Sequence, residues 1–154
     1  MLGRFPASLL DPRYFYAALA GYLLAVAAFP VFKTTPSFLF ILKLFDALGL
    51  AIFSVLGAQV ALQHNLNLLS TVLLGLLTGI GGGVLRDVLA NEVPLVLRQE
   101  VYALASLIGV MTLWFAYHAG ISVTVAVILG AIVVFVIRLA AIYWHLNLPR
   151  VSRH

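Results

Sequence analysis

Residues able to do chemistry are few in this chain, and they fall in two places. In the apolar stretch Leu66–Asn91, three consecutive glycines, Gly81, Gly82 and Gly83, are followed within four residues by Arg86 and Asp87. In the apolar run Phe38–Leu62, Lys43 and Asp46 occupy the opening turn. Each glycine weakens a helix by roughly 1 kcal/mol relative to Ala. Three in a row are expected to loosen or kink the helix and leave backbone groups poorly paired. Such a break survives in lipid only where protein or a water-filled cavity covers it. The freed carbonyl oxygens would suit a dehydrating cation or a substrate ammonium. On this reading Thr78, Gly81, Gly82, Gly83 and Arg86 line a polar path, and Asp46, Asp87 and Lys43 pair or gate its charges. The plainer reading is close helix packing, because Gly75, Gly79 and Gly82 share one face at four- and three-residue spacing.

Each charge also has two readings. Arg86 lies four residues past Gly82, about 6 Å along a helix axis and on the same face. It either marks the cytoplasmic end of its helix with Asp87, or gates the path and binds an anionic lipid head. Asp46 either complements a helix N-terminus or pairs with Arg86, since an unpaired charge inside a membrane costs several kcal/mol. Ala47, Ala51, Ser54, Ala58 and Ala61 form a small-residue stripe read as a helix contact or a subunit contact. Gln59 is expected to bond another helix. Arg138 is expected to snorkel to the cytoplasmic interface.

These residues need apolar helices to hold them, and the composition supplies little else. Of 154 residues, 64% are hydrophobic and 9% charged, against roughly 25% charged in a soluble domain. The fold class is therefore all-α, a polytopic transmembrane helical bundle of about five spans. They fall near 14–32, 38–62, 67–90, 101–117 and 121–144, each long enough for a hydrocarbon core of roughly 30 Å. Met1–Arg13 lacks the apolar core of a signal peptide and reads as a loop or interfacial turn. Trp114, Tyr117, Tyr143 and Trp144 are placed as interface anchors. There is no cysteine, and the four histidines lie far apart without ligand spacing. No metal, cofactor or catalytic constellation is expected, so an enzyme is not the reading. The net charge of +4 reflects loop topology rather than nucleic-acid binding. Lys33, Arg86, Arg98, Arg150 and Arg153 fall on one side, which puts the C-terminus in the cytoplasm of a cell membrane protein.

An offset of 88 residues aligns Pro6 with Pro94, Leu9 with Leu97, Tyr14 with Tyr102, Ala17 with Ala105, Leu19 with Leu107 and Gly21 with Gly109. Chance similarity and a true duplication both stand as explanations. A true one would be an inverted-topology repeat, because the aligned spans are three helices apart. Residues 1–32 would be the tail of a first repeat, 38–117 the second repeat and 121–144 a final helix. The first repeat would then want its own glycine break and Arg-Asp pair ahead of Met1. The expectation is a chain lacking two helices.

The segment from Asp46 to Ala58 (DALGLAIFSVLGA), then Thr78-Gly-Ile-Gly-Gly-Gly-Val-Leu-Arg-Asp, then Glu92-Val-Pro-Leu-Val-Leu-Arg resemble the prokaryotic trimeric intracellular cation (TRIC) channel family. The same domain is also known as a bacterial glycine transporter domain. The resemblance implies seven helices as two inverted three-helix repeats plus a final helix, and a homotrimer with a pore in each protomer. It implies a monovalent-cation channel, chiefly for potassium, with Gly81, Gly82 and Gly83 as the kink of the fifth family helix. Asp11-Pro-Arg-Tyr matches the start of the third. The partner break of the first repeat is missing from this sequence. The expected function is thus a TRIC-type cation channel. The alternatives are a small-amino-acid (glycine) carrier and a non-conducting truncated form. Membrane lipids, monovalent cations or a small amino acid are the expected partners.

Overall fold

The computed structural model describes residues 12, 13, 15, 16, 19–24 and 37–144. It divides into two compact units at Ile41/Leu42. In the first unit, residues 12, 13, 15, 16 and 19–24 are helical. The expected span 14–32 and the first-repeat tail lie largely outside the described residues.

From Ser37 onward the elements are α1 (Ser37–Gln63), α2 (Leu68–Leu89), α3 (Leu95–Arg98), α4 (Glu100–His118) and α5 (Val123–Tyr143). The four long helices are each apolar and long enough to cross a membrane, and α5, with 21 residues, reaches about 31 Å at 1.5 Å per residue. This is an all-helical, multi-pass membrane fold.

The turns between helices satisfy their own backbone groups, as a lipid boundary demands. After α1, Asn65 takes the left-handed conformation (φ 52°), and the Leu66 N–H donates to the Ala61 carbonyl at 3.0 Å. After α2, Asn91 does the same (φ 56°), with the Glu92 N–H on the Asp87 carbonyl at 2.8 Å. After α4 the left-handed residue is Gly120 (φ 89°), and the Ile121 N–H reaches the Ala116 carbonyl at 3.1 Å. These are Schellman closures, which use the residues that bear positive φ most cheaply. At its start, α2 is capped by Asn67, whose side chain accepts from the Ser70 N–H at 2.9 Å.

In the second unit, α1 is the central helix. Ala47, Ala51, Ser54, Ala58 and Ala61 are all buried, so the small-residue stripe is a packing seam. Toward one end, Val55, Ala58 and Leu62 meet Val110, Leu113 and Ala126. Toward the other, Leu50 and Ala51 meet Tyr102, Ala105 and Val134. Between the two clusters the buried hydroxyls of Ser54 and Ser106 share a hydrogen bond of 2.7 Å, a polar tie suited to helices with no hydrophobic drive to associate in lipid. Gln59 is half-buried and forms no hydrogen bond to another helix among the described residues, contrary to expectation. The seam already occupies the face through which α1 meets its neighbours.

The glycines set the helix separations. A Cβ at Gly75 would lie 2.6 Å from a Val110 methyl and 2.9 Å from the Ser54 carbonyl oxygen. One at Gly79 would overlap the Ser54 hydroxyl. Gly109 and Gly130 face each other across α4 and α5, each with its would-be Cβ within 2.8 Å of the other's carbonyl oxygen. The predicted break is corrected here: the α-helical pattern of α2 runs without interruption through Gly81–Gly83. Packing on either side holds the helix against the propensity cost of three glycines. A Cβ at Gly81 would meet nothing within 4 Å. Gly75→Ala should therefore destabilise by about 1–3 kcal/mol through overpacking. Gly81→Ala should stabilise by up to about 1 kcal/mol through helix propensity. Thermal unfolding in detergent compares the two. Equal losses would mean that Gly81 is also a contact.

Candidate functional site

One end of the second unit collects nearly all of its intramembrane charge. Asp46 stands near the start of α1, Arg86 and Asp87 near the end of α2, Tyr102 near the start of α4 and Arg138 near the end of α5. Arg86 is the bridge. Its Nη1 donates to Asp46 Oδ1 at 2.7 Å, its Nε donates to Asp87 Oδ1 at 2.9 Å, and its Nη2 lies 2.8 Å from the same oxygen. The pair expected between Asp46 and Arg86 is present. The side chain of Asp46 is only 6% exposed and that of Asp87 10%, whereas Arg86 keeps 40% exposure.

Asp87 has a second task. Its Oδ2 accepts the Leu95 N–H at 2.8 Å and so caps α3. The stretch Asn91–Glu100, which lies between the expected spans 67–90 and 101–117, therefore contains a helical turn, whose free N–H is satisfied by a carboxylate eight residues upstream.

Arg138 requires the largest correction. Sequence reading sends it to the interface, yet it is 1% exposed. Its guanidinium lies over the Tyr102 ring, 4.5 Å from the centroid. Nη1 donates to Gln99 Oε1 at 3.4 Å, and Nη2 stands 3.8 Å from Asp46 Oδ2. The reason is position on the helix. Ala126, Gly130, Val134 and Arg138 recur every four residues along the buried face of α5, so Arg138 continues the packing stripe and points inward. That spacing was the available signal, and it outranked nearness to the helix end. Tyr102 and Gln99 were likewise missed as its partners.

Two guanidiniums and two carboxylates thus make a balanced quartet. A buried charge is tolerated only when paired and hydrogen-bonded, and a ring face adds cation–π attraction. The balance is incomplete in detail. Among the described residues, Asp46 Oδ2 and Arg138 Nε are buried without a hydrogen-bond partner.

Beside the quartet lies a cleft of about 270 Å³ between α1 and α2. Asp46, Arg86 and Tyr102 line one part, and Gly79, Gly82 and Gly83 form a wall without side chains. A Cβ at Gly82 would meet nothing within 4 Å, while one at Gly83 would press on the Tyr102 hydroxyl at 2.8 Å. Gly82, Gly83 and Arg86 are thus brought together. Gly81 faces open space but does not line the cleft. Thr78 stands elsewhere: its hydroxyl bonds its own helix at the Leu74 carbonyl, 2.7 Å away, and a Cβ on Gly57 of α1 would lie 2.6 Å from it. Lys43 is exposed on α1 and joins no ion pair among the described residues.

Residues 43–118 match the glycine transporter family model, a stretch that includes the whole quartet except Arg138. The UPF0126 inner membrane protein YadS of Escherichia coli K12 is 38% identical over 140 residues, which is 90% of this chain and 67% of that protein. A UPF0126 membrane protein of Vibrio cholerae is 46% identical over 109 residues, 71% of this chain and 46% of the relative. The chain thus spans about half the length of that relative. Among solved structures, the TRIC trimeric intracellular cation channel orthologue from Rhodobacter sphaeroides is 34% identical with a TM-score of 0.82, over 94% of this chain and 74% of that one. A TRIC cation channel solved to explain conductance gives a TM-score of 0.85 at 31% identity, over 97% of this chain and 72% of that one. With its glycine wall and its Arg-Asp pair inside residues 43–118, the chain belongs to the UPF0126 family of membrane proteins and has the fold of the TRIC cation channels.

Proposed function

We propose that this chain forms a passive pathway for monovalent cations, potassium among them, in the inner membrane, as a TRIC-type channel assembled as a homotrimer. The observation that carries the reading is the cleft between α1 and α2. One wall of it is bare glycine, and its lining carries the Asp46–Arg86 pair. Glycine there leaves space for an ion beside α2. Arg86, tethered to Asp46, restricts the cleft beside that pair until it moves. The similarity to trimeric cation channels supports the assembly and the ion class. Excess Lys and Arg on the side of Arg86 and Arg98 supports a cytoplasmic C-terminus.

Gly82→Leu tests the path. It places a side chain where nothing lies within 4 Å, so the fold should survive while cation flux into liposomes falls by at least about tenfold, the equivalent of roughly 1.4 kcal/mol on the barrier. Unchanged flux from a folded variant would leave Gly82 only a spacer. Arg86→Ala should change flux or its voltage response. If both, and lipid binding, stay as they were, Arg86 is neither gate nor lipid ligand.

A second reading has its own support in the glycine transporter family model. The cleft presents a carboxylate and a guanidinium, the two groups that would receive the ammonium and carboxylate of a zwitterion. Uptake measurements separate the readings. Ion current that rises linearly with concentration and ignores glycine belongs to a channel. Saturable uptake of labelled glycine without matching current belongs to a carrier. Neither signal would point to a non-conducting structural member.

A further inference from the structure

Asp46 is one carboxylate between two guanidiniums that differ in freedom. Arg86 is 40% exposed and already holds a second carboxylate, Asp87, at 2.8 Å. It can leave Asp46 and keep a counterion. Arg138 is 2% exposed, covered by the Tyr102 ring at 4.5 Å and held to Gln99 at 3.4 Å. It cannot leave. When Arg86 departs, a carboxylate only 6% exposed stays behind, and an uncompensated buried anion is strongly disfavoured. The remaining cation is Arg138, whose Nη2 stands 3.8 Å from Asp46 Oδ2, an oxygen with no hydrogen bond of its own. Closing that gap to hydrogen-bond length would satisfy the orphaned oxygen at the moment the other oxygen is released.

We propose that Arg138 is a positioning residue. It holds the Asp46 carboxylate in place and compensated from the α5 side, so that the Asp46–Arg86 contact can open and close beside the cleft. Arg86 is the exchangeable partner and Arg138 the permanent one. The assignment rests on reading the cleft as part of a transport path, but its electrostatic half stands apart from transport and is measured apart from it.

The test uses the protein in detergent for thermal unfolding and in liposomes for flux, with four variants. Arg86→Gln combined with Asp87→Asn, which removes the Asp87 charge together with its cationic partner, should leave the unfolding midpoint within a few degrees of wild type, and flux should rise by about threefold as the restraint on Asp46 is lost. Arg138→Met should lower the midpoint by about 10 °C, the effect of leaving the buried Asp46 carboxylate with Arg86 as its one cation. Adding Asp46→Asn to Arg138→Met removes that under-compensated charge and should recover at least half of that loss. Arg138→Met should also lower flux by about threefold, and Arg138→Lys, whose ammonium readily loses its charge on burial, should not restore it. If Arg138→Met does not fold, the double variant with Asp46→Asn decides: it folds if the proposal holds. The proposal is overturned if Asp46→Asn gives no recovery, since Arg138 then acts by packing on Tyr102. It is equally overturned if Arg86→Gln with Asp87→Asn costs as much stability as Arg138→Met, since Arg86 is then the permanent counterion. Absence of flux in wild type, with the thermal pattern intact, sinks the transport reading and leaves the positioning assignment standing.

Discussion

A carboxylate with almost no access to water fixes the arrangement of this bundle. Asp46 sits near the start of α1, 6% exposed, where an unpaired charge would cost several kcal/mol. The structure answers with cations from two different helices. Arg86 comes from the end of α2 and Arg138 from the end of α5. Asp87 balances the charge and caps α3, which draws the segment after α2 back over the same end. One buried anion therefore ties α1, α2, α3 and α5 together at a single level. Tyr102 of α4 joins them through its ring.

Glycine plays the complementary part by keeping the helices close enough for short polar side chains to meet. Gly75 and Gly79 let α2 approach Ser54 without a Cβ in the way, while the Ser54 hydroxyl bonds Ser106 of α4. The Gly109–Gly130 contact does the same for α4 and α5. In lipid, where apolar surface gives no net drive to association, such close packing is the main source of stability. Gly81 and Gly82 differ from these, since no atom would touch a side chain placed there. Their absent side chains have no packing explanation within this chain. That separates the glycines that build the bundle from those that leave space.

Much of this was legible in the sequence because membranes impose simple rules. Apolar length and charged loops placed the long helices, and small-residue spacing placed the buried face of α1. The cost of a lone intramembrane charge identified the Asp46–Arg86 pair. Three things were not legible. Helix propensity argued for a break at Gly81–Gly83, but propensity is a local quantity and packing on both sides of the triplet overrode it. Proximity to a helix end argued for a snorkelling Arg138, yet the four-residue stripe Ala126–Gly130–Val134 carried it inward. The turn at Leu95–Arg98 depends on a carboxylate from another helix, a tertiary effect that no local pattern encodes.

The choice of arginine at both cationic positions follows from the same constraint. A lysine ammonium is strongly hydrated, and burial readily drives it to lose its charge. A guanidinium keeps its charge when desolvated and offers a flat face to an aromatic ring. Arg138 uses the flat face on Tyr102 and directs its fork toward Gln99 and Asp46. Arg86 uses the fork fully, with three nitrogens on two carboxylates. The quartet is therefore held by directional bonds on the cleft side and by a stacked, weakly bonded cation on the inner side. A cluster built this way can lose one bond at its exposed edge without losing charge balance, which is the property that the proposed gate beside a glycine-walled cleft requires.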